Sequence, residues 1–168
     1  MKLSVLVIVA AFAGALGQRS ASAQMIVEVG IPVGSTPGAL IIEDLDGNPV
    51  DLSQYRGRPL LVEFWATWCT NCQALQPQME SAYENYHTRI EFIAIAVGVG
   101  QSQRSVKRHL VRHPSAYRYL FDRRGTAVRT FLAPTTSFIV VMDENGVVTY
   151  TGVGPDQDIE AAVNTALD

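Results

Sequence analysis

The feature that most constrains the fold is a pair of cysteines, Cys69 and Cys72, at the junction of two hydrophobic patterns. Before the pair, residues 60–64 form an apolar run interrupted only by Glu63, which is typical of a strand buried on both faces. After it, residues 71–86 carry apolar side chains at spacings of three and four, which predicts a helix. The sequence therefore predicts a buried strand that ends just before Cys69 and a helix that begins there.

The order of the other patterns predicts the fold class. Residues 90–97 form a second buried strand, residues 102–110 a helix, residues 119–121 a short strand and residues 137–152 two strands joined by a two-residue turn at Asn145-Gly146. A last helix follows, with Asp156 as its cap. We expect one α/β domain with a central mixed β-sheet, in which a parallel core and an antiparallel C-terminal hairpin are flanked by α-helices.

The N-terminus has the pattern of an export signal. Lys2 is followed by an apolar run over residues 3–16 and by the small residues Ala21-Ser22-Ala23, which are typical of a signal peptide cleaved after Ala23. We therefore assign residues 1–23 to a signal peptide, 24–37 to an irregular arm and 38–168 to the folded domain. The prediction is an exported, periplasmic or extracytoplasmic protein, or a membrane-anchored one if the signal is not cleaved.

Charge excludes one class of partner. Residues 1–23 carry two bases and no acid, so the rest of the chain has 11 basic and 16 acidic residues and a net charge of −5. No basic patch stands out, and nucleic-acid binding has no support.

The spacing of the cysteines favours redox chemistry. A loop closed by Cys69 and Cys72 is too short to restrict the unfolded chain much, so a bond there has little structural value. A sulfur at a helix start is stabilised as a thiolate, the nucleophilic form, by free N–H groups and the helix dipole. Lowering its pKa from about 8.5 to about 7 requires about 2 kcal/mol, part of which must come from local hydrogen bonds. We expect Cys72 to be the more buried of the two and to attack second.

Other interpretations of the pair remain open. A structural zinc site needs a second pair of Cys or His ligands, and the three histidines lie far along the chain. A purely structural disulfide is the other alternative.

The motif resembles that of a known family. Residues 63–72 read EFWATWCTNC, which is similar to the W-C-x-x-C site of thioredoxins. With LSQYRG at 52–57, APTT at 133–136 and VVMDENG at 140–146, the chain resembles the exported TlpA-like and ResA-like branch of thioredoxin-fold thiol-disulfide oxidoreductases over residues 38–167.

The resemblance implies roles for matching positions. Cys69 is the attacking thiol and Cys72 the resolving thiol, and Trp68, Thr70 and Asn71 lie at the substrate surface. Pro134 is the cis-proline that faces the disulfide and turns the Ala133 backbone toward an extended substrate. An ungapped comparison instead puts Ser137 at the proline position.

A buried acid is the third expected catalytic group. Glu63 matches the buried acid of thioredoxins, and burial in an apolar strand raises the pKa of a carboxyl group. Such a group can take the proton of Cys72 directly or through water, the alternative being a surface glutamate. His87, His109 and His113 are interpreted as surface or structural residues.

The expected function is reduction of protein disulfides by a dithiol that needs no cofactor or metal, with electrons from a membrane donor. No acid follows Cys72 until Glu80, which weakens a specific assignment to cytochrome c maturation. The alternatives are an oxidant or isomerase for folding proteins, a Cu(I)-binding chaperone and a peroxidase. Substrate, donor and oligomeric state are not specified by the sequence.

Overall fold

The computed structural model describes residues 29–167. The predicted signal peptide, residues 1–23, and the first residues of the predicted arm lie outside this range. Residues 29–37 have no regular secondary structure. Within the described range, no helix is long and apolar enough to cross a membrane.

Seven strands and four α-helices make up the described domain. The strands are β1 (Ile41–Asp44), β2 (Pro49–Asp51), β3 (Leu60–Trp65), β4 (Glu91–Val97), β5 (Arg118–Asp122), β6 (Phe138–Met142) and β7 (Val148–Val153). The helices are α1 (Thr70–Tyr86), α2 (Gln103–Arg112), α3 (Thr126–Thr130) and α4 (Ile159–Asn164).

All seven strands belong to one sheet in the order β2-β1-β5-β4-β3-β6-β7. Strands β3, β4 and β5 are parallel, whereas β6 pairs antiparallel with β3, and β7 pairs antiparallel with β6 at the edge of the sheet. This confirms the predicted mixed sheet with a parallel core and a C-terminal hairpin. A second hairpin, β1–β2, was not predicted; it extends the opposite edge of the sheet, where β1 pairs antiparallel with β5.

The centre of the sheet places the cysteine pair. All six residues of β3 are buried, because β4 and β6 flank it on either side. Four apolar side chains of α1 are buried at helical spacing: Cys72, Leu75, Met79 and Ala82. Since β3 ends at Trp65 and α1 begins at Thr70, the short turn between them brings Cys69 to the carboxyl end of the parallel strands.

Two local predictions were wrong in detail. The last helix is capped by Asp158, whose carboxylate accepts the N–H of Ala161, and not by Asp156. The β6–β7 connection is longer than a two-residue turn, because the Asp143 N–H donates to the Val147 carbonyl and leaves three residues between them. The Asp143 carboxylate stabilises this longer loop by accepting the N–H groups of Asn145 and Val147.

Candidate active site

The cysteine pair forms a disulfide at the start of α1. The two sulfurs are bonded, and the Cα atoms of Cys69 and Cys72 lie 5.3 Å apart. Cys69 is the N-cap of α1, and its Sγ accepts the backbone N–H of Cys72 at 3.0 Å. This sulfur therefore receives a hydrogen bond and the positive end of the helix dipole, both of which favour its thiolate once the bond is reduced.

The two cysteines are equally buried. Each is only 4% exposed, so the prediction that Cys72 is the more buried one was wrong. The reason is that Cys69 is folded into the turn that leads to the helix, where its N–H donates to the Ala66 carbonyl at 3.0 Å. The position at the helix start, and not exposure, distinguishes the two sulfurs.

The residues beside Cys69 form an exposed surface. Trp68 is 51% exposed, and Thr70 and Asn71 are also exposed. Trp65, three residues earlier, is buried against Tyr119 and His109.

The loop after β4 holds the turn that precedes Cys69. Trp68 donates its indole N–H to the Val99 carbonyl at 3.0 Å. Both the N–H and the hydroxyl of Thr67 donate to the Gln101 Oε1 atom at 3.0 Å, and Gln101 Nε2 donates to the Val97 carbonyl. Sequence reasoning missed these contacts, since a glutamine in a loop carries no pattern that indicates its partner.

Substitution Gln101→Ala is expected to lower the free energy of unfolding by about 1–3 kcal/mol, because it leaves the half-buried Thr67 N–H without its acceptor. Urea unfolding of the oxidised protein measures the change. Gln54→Ala is the matched control, since that exposed glutamine makes one backbone contact far from the site, and we expect a change of under about 0.5 kcal/mol. Equal effects of the two substitutions would show that Gln101 does not hold the turn.

Glu63 is buried in β3. It is 2% exposed, and desolvation by burial raises the pKa of its carboxyl group to about 8. In the register of the sheet, Ala94 lies between Glu63 and Tyr119. The expected buried acid is therefore present, and at neutral pH it is mostly protonated.

A cleft of about 520 Å³ joins Glu63 to Cys72. Cys72 lines the cleft, whereas Cys69 does not. The other lining residues come from α1, α2 and the sheet and include Trp65, Gln76, Glu80, His109, His113 and Tyr119. No sequence pattern indicated that His109 and His113 line the same cleft as the acid. His87 lies at the exposed C-terminal end of α1, as expected.

The prediction that Pro134 is a cis-proline facing the disulfide was wrong. Residues 29–167 contain no cis peptide bond, so the Ala133–Pro134 bond is trans, and Pro134 is exposed. The Ala133 N–H donates to the Val128 carbonyl at 2.9 Å and is not free to pair with a substrate. The residue directly before β6 is instead the buried Ser137, with a positive φ of 53°.

Ser137 is held by the β7–α4 connection. Its carbonyl oxygen accepts from Gln157 Nε2 and from the Gly154 N–H, each at 3.1 Å. These contacts satisfy the backbone where the chain enters β6, which is why Ser137, and not Pro134, occupies the buried position. Among residues 29–167, no three His, Cys, Asp or Glu side chains are grouped so that they could hold a metal ion.

A dithiol–disulfide pair at a helix start, set on a mixed sheet of this topology, defines a thioredoxin-fold redox protein. The chain belongs to the Redoxin family, which it matches over residues 10–167. Together with its relatives, this makes it a thiol-disulfide oxidoreductase.

The relatives agree with this assignment. The chain is 31% identical to thiol-disulfide oxidoreductase ResA of Geobacillus kaustophilus over 133 residues, which are 77% of this chain and 75% of the relative. Its fold is similar to the thioredoxin domain of a thiol-disulfide oxidoreductase from Bacteroides vulgatus, with a TM-score of 0.71, 18% identity and coverage of 82% and 99% of the two chains. A thioredoxin-family thiol:disulfide interchange protein from Chlorobium tepidum gives a TM-score of 0.68, 24% identity and coverage of 82% and 98%.

Proposed function

We propose that the protein reduces protein disulfides outside the cytoplasm, with Cys69 as the attacking thiol, Cys72 as the resolving thiol and Glu63 as the proton acceptor. The observation that carries this proposal is the position of Cys69 Sγ at the N-cap of α1, where it accepts the Cys72 N–H. No cofactor takes part beyond the Cys69–Cys72 disulfide itself.

The reaction proceeds in two exchanges. The Cys69 thiolate attacks one sulfur of the substrate disulfide, forms a mixed disulfide and releases the other substrate sulfur as a thiolate. In molecules in which Glu63 is ionised, the minor fraction at neutral pH, Cys72 then loses its proton to the Glu63 carboxylate, and the Cys72 thiolate attacks Cys69 Sγ. The Cys69–Cys72 disulfide forms, the second substrate sulfur leaves, and two electrons have passed to the substrate.

The exposed side chains next to Cys69 support docking of a protein substrate. Trp68 offers a flat apolar ring whose indole N–H is already bonded to the Val99 carbonyl, so the ring is held in place beside the disulfide. Thr70 and Asn71 flank the same sulfur and offer polar groups to the substrate backbone. A held aromatic ring loses little conformational freedom when a substrate segment covers it.

The location and the direction of electron flow are part of the proposal. The signal-like pattern of residues 1–23 supports export. The disulfide of an exported reductant has to be reduced again after each cycle, and extracytoplasmic compartments are kept oxidising. A membrane protein is therefore the electron donor. The reduction potential tests the direction: a value near about −270 mV fits a reductant, and one near about −120 mV would instead indicate an oxidant.

The variant Cys72→Ser is expected to accumulate mixed disulfides with substrate proteins through Cys69, because the second exchange is blocked. Non-reducing gels and mass spectrometry of the tagged full-length chain, expressed in its host, identify the trapped partners. Cys69→Ser is the matched control and should trap few or none. Equal trapping through Cys72 in that control would contradict the assignment of Cys69 as the attacking thiol.

A further inference from the structure

The proton that leaves Cys72 has to reach solvent from a buried acid. Glu63 is 2% exposed, and the disulfide beside it is nearly as enclosed. The cleft of about 520 Å³ contacts both groups but not Cys69, so it serves the resolving side of the disulfide and not the attacking side. A cavity of this size has room for several water molecules, and polar side chains on its wall, such as Gln76 and Glu80, can bind them.

Two imidazoles lie along this cleft. The ring of His109 on α2 packs against the Trp65 ring, with 5.7 Å between their centroids, and is half-buried. The ring of His113 lies 4.6 Å from that of His109 and is exposed. One imidazole is therefore inside the cleft and the next is at the surface.

We propose that this cleft is the proton exit of the active site and that His109 is the relay residue between Glu63 and solvent. The inference rests on the proposed roles of Cys72 and Glu63. After Glu63 has taken the Cys72 proton, the proton passes through water to the free nitrogen of neutral His109. His109 then gives it to water or to a buffer base at the surface, beside His113, and Glu63 returns to its equilibrium between the acid and the carboxylate.

The charges around the cleft suit this role. Burial, followed by the nearby His113 and Arg112, lowers the pKa of His109, so its ring is neutral at pH 7 and can accept a proton. Tyr119 of β5 and Tyr117, just before that strand, lie near Glu63. Burial raises the pKa of both phenols, so they add no charge there at neutral pH. Glu80 of α1 also lines the cleft and can attract the released proton outward.

The experiment follows the two exchanges separately. The reduced protein is mixed rapidly with an aromatic disulfide whose thiolate absorbs visible light, in weakly buffered solution at pH 7. The absorbance of the released thiolate rises in two bursts. The first burst reports the attack by Cys69 on the disulfide, and the second reports the resolution of the mixed disulfide by Cys72. If wild type shows no second burst, the proposed function fails, whatever His109 does.

In His109→Ala, we expect the first burst to be unchanged and the second to slow by about fivefold or more. Added imidazole should restore the second rate, because the removed ring leaves room for a mobile base. His109→Gln keeps most of the packing against Trp65 but carries no titratable group, so it should also slow the second burst. His87→Ala, at the exposed end of α1, is the control and should match wild type.

Two outcomes would overturn the relay. An unchanged second burst in both His109 variants would show that Glu63 reaches solvent by another path. The second burst could also be slower in His109→Ala but not be restored by imidazole and not be slower in His109→Gln. That result would show that His109 only packs against Trp65.

Discussion

Substitution Glu63→Gln is expected to raise the free energy of unfolding of the oxidised protein by about 4 kcal/mol at pH 8 and to change it little at or below pH 4.5. Burial raises the pKa of the Glu63 carboxyl group from 4.5 to about 8. Between these values the folded state binds more protons than the unfolded state, so stability falls by up to about 1.4 kcal/mol per pH unit as the pH rises. The part of the stability that depends on protonation of Glu63 is fully present below pH 4.5 and is lost by about pH 8. A neutral glutamine removes this dependence.

Urea unfolding of both proteins from pH 4 to pH 9 measures the effect. The oxidised form is used, because its disulfide-bonded cysteines do not titrate and add no proton linkage of their own. Glu84→Gln, an exposed position on α1, is the matched control and should shift the whole curve by a small constant amount. Parallel curves for wild type and Glu63→Gln would contradict the raised pKa of Glu63.

The centre of the fold could be predicted from the sequence because its signals are local and strong. The continuous apolar runs of β3 and β4 are typical of strands that are buried on both faces, which predicts that they lie in the middle of the sheet. The periodicity of α1 likewise specified the helix to within one residue of its observed start at Thr70. The position of Cys69 at that start follows directly, and it is the part of the site that sequence reasoning described best.

The outer elements gave weaker signals. Strands β1 and β2 have four and three residues and are only partly buried, so neither shows a clear alternation. The pairing of β1 with β5 depends on contacts between distant parts of the chain, which no local pattern encodes. The choice of Asp158 over Asp156 as a cap is likewise a matter of geometry between two suitable residue types.

The site predictions failed where a role was transferred by motif alone. Pro134 lies in a stretch that resembles the family, but Ser137 is the buried residue at the entry to β6, and Pro134 is exposed with a trans peptide bond before it. The role of His109 could not be read from the sequence either, because it depends on α2 lying across Trp65. The burial of Glu63 was predicted from its match to the buried acid of thioredoxins and from its place within an apolar strand.

The same Glu63→Gln substitution is expected to slow the second exchange, the attack of Cys72 on Cys69, by about 100-fold or more at pH 7, the usual contribution of a positioned base. The first exchange should keep its rate, since the cleft that contains Glu63 does not reach Cys69. In wild type, the second rate should rise with pH up to about pH 8 as Glu63 ionises, and then level off.

Because this variant is expected to be more stable than wild type, a loss of rate cannot be attributed to unfolding. The opposite signs of the two effects follow from one cause: a carboxylate that is costly to bury is retained where a proton must be removed. Rapid mixing of each reduced protein with a chromogenic disulfide, over pH 6 to pH 9, gives the two rates separately. A second rate that keeps the wild-type value and pH dependence in Glu63→Gln would show that Cys72 loses its proton to a different base.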